Sequence, residues 1–397
     1  MAVIQIEAPS RQKRFPLLQL GFRPFFLLAA LWSACGLALW ITALNQGFPF
    51  AVDYPPLTWH AHEMIFGFAT AVVTGFLLTA ARNWTGTDTL SGAPLGGLSL
   101  LWLAGRLAPF SGIPPFWVSL VDLAFLPLAA TAVALPIIRA RQRNNLVFGP
   151  LLLVLFLANL LVHLELLGMA SGTAQMGLEL GIWLLVFLMT LMGGRVIPFF
   201  IERGLGLTSP LPRRPRLDAA SLIAVGVAAA ADLLLGDSLL LTVLAIAAGS
   251  LLAVRVAGWH RREIWRNPML WILYLGYGWL AVGFLLTGAA SFQLLPPSLA
   301  THAFTSGALG LLTLGMMARV SLGHTGRNIT AGRALTAAFV LVSAASLVRV
   351  AGPLIVPASD YLLVVSLAGG LWTLAFAVLF IVLLPILTSP RLDRQPG

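Results

Sequence analysis

Charge is what this sequence has least of. Of its 397 residues only 10% are Asp, Glu, Lys or Arg, against 59% hydrophobic, whereas a water-soluble domain carries about 25% charged and about 45–50% apolar residues. So little charge leaves no way to cover a water-facing surface, which excludes a cytoplasmic enzyme. The same balance excludes disordered and collagen-like chains. Cysteine is almost missing as well. Cys35 stands alone, so no intramolecular disulfide, zinc ribbon or iron–sulfur cluster can be assembled from it. Lys13 is the one lysine among 24 Lys and Arg residues. There is no Walker A lysine, no GxGxxG after a strand and no HExxH, which removes nucleotide-binding loops and zinc proteases. The first nineteen residues lack a short apolar core with a cleavage site, so the next apolar run is expected to stay as an anchor rather than leave as a signal peptide.

What the chain does have is long apolar runs. Crossing a bilayer as a helix takes about 20 such residues, and twelve runs qualify, the third (94–109) and seventh (218–235) being the shortest. The expected fold is therefore an all-α polytopic membrane protein. Residues 1–23 form a basic cytoplasmic segment, 24–387 a single transmembrane domain of twelve helices, and 388–397 a cytoplasmic tail. With the N-terminus inside, 22 of the 24 Lys and Arg residues fall at the cytoplasmic end, and only Arg106 and Arg349 fall at the other. This positive-inside asymmetry fixes both termini in the cytoplasm. It also explains the net charge of +10 as membrane orientation among lipid head groups, with no need for nucleic acid.

A faint internal repeat accompanies this count. A shift of 240 residues lays His62 on His302, Gly67 on Gly307, Gly75 on Gly315 and Thr85-Gly86 on Thr325-Gly326. A shift of 124 lays Met192 on Met316 and Arg195-Val196 on Arg319-Val320. Helices 2, 6 and 10 then correspond, which implies three four-helix units.

The histidines carry the main functional signal. His60 and His62 sit at the outer end of helix 2, His163 near the outer end of helix 5, and His302 in the opening turns of helix 10. At 1.5 Å rise per residue all four lie within about 8 Å of one membrane depth. Ionisable groups in a bilayer are costly and mark function, and neutral imidazole is the commonest metal ligand. His60 and His62 are about 200° apart around a helix, so they face opposite ways and suit two centres flanking helix 2 better than one. The i,i+3 and i,i+4 spacing puts Glu63 and Met64 on the His60 side. Four imidazoles ringed by Trp59, Phe66 and Phe68, with no cysteine ligand, favour haem b, copper, or both. His62 and His302 are the candidate haem ligands, and His60 with His163 the candidates for a second metal. Glu63 and Glu165 are candidate proton donors, since burial can raise a carboxyl pKa. Arg106 could neutralise haem propionates or pair with Asp122. At the cytoplasmic end, His324 in Gly323-His324-Thr325-Gly326-Arg327 either makes a helix-end hydrogen bond or holds a further cofactor.

Several strings together resemble the NnrS family: Gly21-Phe22-Arg23-Pro24-Phe25-Phe26, Trp59-His60-Ala61-His62-Glu63-Met64, Thr79-Ala80-Ala81-Arg82-Asn83-Trp84-Thr85-Gly86, Leu103-Ala104-Gly105-Arg106, Asn159-Leu160-Leu161-Val162-His163, Gly193-Gly194-Arg195-Val196-Ile197-Pro198-Phe199-Phe200, and Arg319-Val320-Ser321-Leu322-Gly323-His324-Thr325-Gly326-Arg327. The resemblance implies a multi-pass protein of the bacterial inner membrane that carries haem and copper and acts in nitric oxide metabolism or protection. It transfers no ligand assignment. The architecture also resembles the main subunits of haem–copper oxidases, which have twelve helices in three four-helix arcs and haem-ligating histidines near the outer ends of helices 2 and 10. This chain departs from them in having no histidine on helix 6 and no histidine pair on helix 7. Three functions stay open: a redox enzyme reducing nitric oxide with electrons from quinol or a redox protein, a transporter or copper- and haem-handling permease, and a nitric oxide sensor without turnover.

Overall fold

The computed structural model describes residues 15–47 and 54–393. Arg11, Lys13 and Arg14, with 394–397 of the expected tail, lie outside the described residues. The described chain is helical throughout, with no strand. Its twelve principal helices are α1 Phe22–Gln46, α2 Pro56–Thr85, α3 Ala93–Leu107, α4 Pro115–Arg139, α5 Phe148–Leu166, α6 Thr173–Leu205, α7 Pro215–Leu235, α8 Leu239–Trp259, α9 Pro268–Ser291, α10 Pro297–His324, α11 Arg333–Ile355 and α12 Tyr361–Thr388. Proline opens five of them, α2, α4, α7, α9 and α10, where its missing N–H costs nothing and its φ is already helical. Gly86 closes α2 in the left-handed region at φ 67, a conformation glycine takes without penalty.

Eleven of these helices are long and apolar enough to cross a membrane. The exception is α3. Its fifteen residues span about 22 Å at 1.5 Å each, less than the hydrocarbon core, before the chain tightens into a 3-10 turn at Ala108–Phe110. The expected seventh span, by contrast, fills out to 21 residues.

Successive helices pack on one another, and α12 returns onto α1 to close a ring. Two helices stand apart in burial: 89% of the α2 window and 78% of the α10 window are covered by protein, against 22–56% for the other nine. The third member of the expected set, α6, touches both. Small residues permit this close approach. A Cβ on Gly75 would lie 2.9 Å from Phe25, and one on Gly315 would lie 2.9 Å from Ile272.

Both central helices also change their winding. Residues Glu63–Ala69 of α2 and Ala303–Leu309 of α10 are π-helical. The segments start immediately after His62 and His302 and are themselves 240 residues apart, matching the offset of the sequence repeat. A π-turn leaves backbone groups without their usual partner and recurs at functional sites. Here side chains fill the gap: Trp102 Nε1–H donates to the Gly67 carbonyl at 3.1 Å, and the Thr70 hydroxyl donates to the Phe66 carbonyl.

Candidate metal and cofactor centres

The first turns of α2 carry His60 and His62 to opposite sides, as helical geometry requires, and each side builds a different site. His60 faces a cavity between α1, α2, α6, α10, α11 and α12. His302, Met64, Phe68, Trp372 and Arg349 also line this cavity of about 150 Å³, which is partly open to the surroundings. Its lining is largely apolar with a few polar groups, as cofactor sites are. The Trp40 indole stacks on the His60 ring, centroids 4.0 Å apart and planes within 22°. His60 Nδ1 is buried with no hydrogen-bond partner. The Nδ1 of His302 lies 2.7 Å from the Ser298 carbonyl; donating there makes Nε2 the lone-pair nitrogen, the tautomer a metal ligand needs. Arg349 gives one amino group to the Tyr361 hydroxyl at 3.2 Å, while its Nη1 is buried without a partner.

On the other side of α2 the polar groups are paired, Arg106 Nε excepted. His62 Nδ1 lies 3.0 Å from Glu63 Oε1. Its Nε2 is 2.9 Å from Asn159 Oδ1 and 3.3 Å from Asp122 Oδ2. His163 Nε2 is 2.9 Å from the same Asp122 oxygen, and its Nδ1 is 2.9 Å from the Ser119 hydroxyl. The Asn159 amide donates to Asp122 at 2.8 Å. Arg106 bridges the two carboxylates, with Nη1 3.2 Å from Glu63 Oε2 and Nη2 paired to Asp122. The Trp32 indole N–H donates to Glu63 at 2.7 Å. Every member except Trp32 is at least 90% buried. The spacing that produces this is simple: Ser119 and Asp122 are three apart on α4, Asn159 and His163 four apart on α5, so each pair projects from one face.

His62, Asp122 and His163 offer three ligand atoms within 4.8 Å of one another. The two separations from Asp122 Oδ2, 3.3 Å to His62 and 2.9 Å to His163, match the edges of a coordination shell with bonds of about 2.0–2.1 Å. Both imidazoles are already oriented through Nδ1, by Glu63 and by Ser119, which is the outer-shell arrangement metal-bound histidines use. Glu63, Asp122 and Arg106 sum to one negative charge, which a proton on an imidazole or a bound cation balances.

Residues 16–391 match the sequence family described as NnrS protein. The chain belongs to the NnrS family. No curated protein matches it. The NnrS match spans both histidine sites and all twelve helices.

The pairing differs from the sequence expectation. The redox reading of the sequence joined His62 to His302 as haem ligands and His60 to His163 as a second centre; the fold instead puts His60 with His302 and His62 with His163. Opposite faces of α2 were legible, but which neighbour each face meets depends on ring closure. Glu63 also changes sides. The π-segment begins at Glu63 itself, and its carboxylate turns to His62 and Arg106, while Met64 stays with His60. Arg106 is committed to Glu63 and Asp122. Arg349 takes the cationic place by the cavity, and its sequence signal was its status as the other positive charge at the histidine-bearing end. Two candidates lie elsewhere. Glu165 accepts the Ala174 N–H at 2.7 Å at the start of α6, a favourable place for a negative charge. His324 packs on Phe22 at the opposite, basic end, centroids 5.6 Å apart.

Proposed function

We propose that this NnrS-family chain is a haem- and copper-containing oxidoreductase of the bacterial inner membrane that binds and reduces nitric oxide at its histidine-bearing end. The observation that carries this reading is the division of labour across α2. One face offers an apolar cavity with two imidazoles and a guanidinium whose Nη1 has no partner among the described residues. The other offers two oriented imidazoles and a carboxylate. The first set suits haem b, with His60 and His302 as ligands and Arg349 facing its carboxylates. The second suits copper, held by His62, His163 and Asp122. When bound, these groups supply the redox chemistry.

The chain's own residues supply placement and protons. Stacking on Trp40 fixes the plane of His60, and the Ser298 carbonyl fixes that of His302. The apolar lining around Met64, Phe68 and Trp372 excludes water and admits an uncharged gas from the bilayer. Reduction of nitric oxide consumes protons, and Glu63, 3.0 Å from His62 Nδ1, is the carboxylate placed to relay them toward the reacting site. Electrons would come from quinol or a redox protein.

The test is an optical spectrum of detergent-purified protein, oxidised and dithionite-reduced, then with nitric oxide, alongside metal analysis. The expected result is a Soret band that sharpens on reduction, shifts with nitric oxide, and disappears in H60A and H302A. Steady nitric oxide consumption with an added electron donor should accompany it. Binding without turnover would make the protein a sensor, and a colourless protein from haem-replete cells that moves copper across liposomes would make it a permease.

A further inference from the structure

Three strings of the sequence remain unused by the histidine sites: Gly21-Phe22-Arg23-Pro24, Ala81-Arg82-Asn83 and Ser321 to Arg327. They come together at the basic end of the bundle. Arg23, in the first turn of α1, is wholly buried. Its Nη1 donates to the Leu387 carbonyl at 3.0 Å and the Ser389 carbonyl at 2.8 Å, capping the end of α12 as a cation should. The other edge of the guanidinium, Nε and Nη2, is buried with no hydrogen-bond partner among the described residues.

Two further donors nearby are in the same condition: Arg327 Nη1 and the Ser321 hydroxyl are buried and unpartnered. Arg327 and Arg391 stand close enough to Arg23 for their charges to act on it. His324, stacked on Phe22, lies within electrostatic reach of Arg23, and Ser321 is one turn before it on the same face of α10. The carboxylates here are taken. Asp88 pairs with Arg82 at 3.1 Å, and Asp393 holds Arg391 through both oxygens at 2.8 and 2.6 Å. Among the described residues, no carboxylate forms an ion pair with Arg23 or Arg327.

Buried charges are paired, because an unpaired one gives up its hydration for nothing. The Nε–Nη2 edge of arginine is the fork that grips a carboxylate or phosphate through two parallel hydrogen bonds. All the idle groups can donate, and the two cations can only donate; that matches an oxygen-rich anion. The site also sits at the end of the bundle where the positive-inside rule places cytoplasmic head groups. We propose that Arg23, Ser321 and Arg327 form an oxyanion site for a phosphate group. The phosphate belongs either to the head group of an anionic lipid or to soluble phosphate. Bound there, it ties the start of α1 to the ends of α10 and α12. The site is independent of haem, copper and nitric oxide.

The experiment uses the full-length protein in nanodiscs of phosphatidylcholine in phosphate-free buffer and reads the unfolding temperature. One arm titrates inorganic phosphate against chloride at matched ionic strength; the other replaces part of the lipid with phosphatidylglycerol. The proposal expects a rise of a few degrees in at least one arm, since a ligand that binds only the folded state stabilises it. A response to inorganic phosphate identifies the soluble source, and a response to phosphatidylglycerol alone identifies the lipid. R327Q and S321A should lose most of the rise while folding as the parent does. R23K, which keeps the charge and removes the fork, should lose it too. No rise in either arm, an equal rise with chloride, or an undiminished rise in both R327Q and S321A would overturn the proposal.

Discussion

The two faces of α2 are built from the same side chain and treat it in opposite ways. His62 is enclosed by Glu63, Asp122 and Asn159, with both ring nitrogens in hydrogen-bond contact. His60, two residues earlier, is clamped by an indole and has Nδ1 facing nothing that can answer it. Buried polar groups normally find partners, so a saturated imidazole is explained by its neighbours, and an unsatisfied one points to something the chain itself does not provide. The comparison separates a network that holds the fold from a cavity prepared for a guest, although the network also has the geometry to take an ion.

That contrast can be broken from the saturated side first. Arg106→Leu removes the cation between two buried carboxylates and should cost about 3–5 kcal/mol, seen as a large fall in unfolding temperature or loss of folded protein. Gly67→Ala strikes the same network from the backbone, because the new Cβ would lie 2.7 Å from Arg106 Nη1 and 2.8 Å from Glu63 Oε2. Crowding of this kind costs about 1–3 kcal/mol, measurable by denaturation and, if the outer shell orients a bound metal, by lower copper content.

The cavity side should show the reverse pattern. H60A and H302A are expected to cost the metal-free protein only about 0.5–1.5 kcal/mol each, the loss of one ring stack on Trp40 and of one hydrogen bond to the Ser298 carbonyl, while abolishing the Soret band. His163→Ala should instead lower copper content sharply and leave the Soret band in place. Loss of both signals together in every histidine variant would collapse the two sites into one. The smallest effect belongs to Glu165→Gln, which weakens only a helix-start interaction worth about 0.3–1 kcal/mol and should leave nitric oxide consumption unchanged.

Much of this was legible in the sequence, for identifiable reasons. Bilayer thickness leads to twelve helices, eleven of them long and apolar enough to span, and the layer of histidines follows from counting residues from the helix ends. Opposite faces for His60 and His62 follow from 100° per residue. What sequence could not reach is any property set by a third helix. Asp122 serves two histidines because α4 and α5 face α2 side by side, and Asn159 enters the network only through that packing. His302 meets His60 because the ring of helices closes. The π-segments were invisible for another reason: nothing in Glu63–Ala69 forbids an α-helix, and the groups that meet this segment, Trp102 on the Gly67 carbonyl and Arg106 and Trp32 on the Glu63 carboxylate, come from other helices.

The winding defect has a consequence of its own. Each extra residue accommodated in a turn advances the helix by about 100° relative to an uninterrupted one. In α2 and α10 the histidine-bearing tip is therefore out of phase with the body below it, like two lengths of screw thread joined with a twist. The tip can be indexed to its ligand partners while the glycine-rich body stays indexed to its neighbours, and neither has to compromise. Deleting one residue from either segment would restore a single phase and swing His62 or His302 by roughly a quarter turn, out of its site, without altering any side chain that lines it.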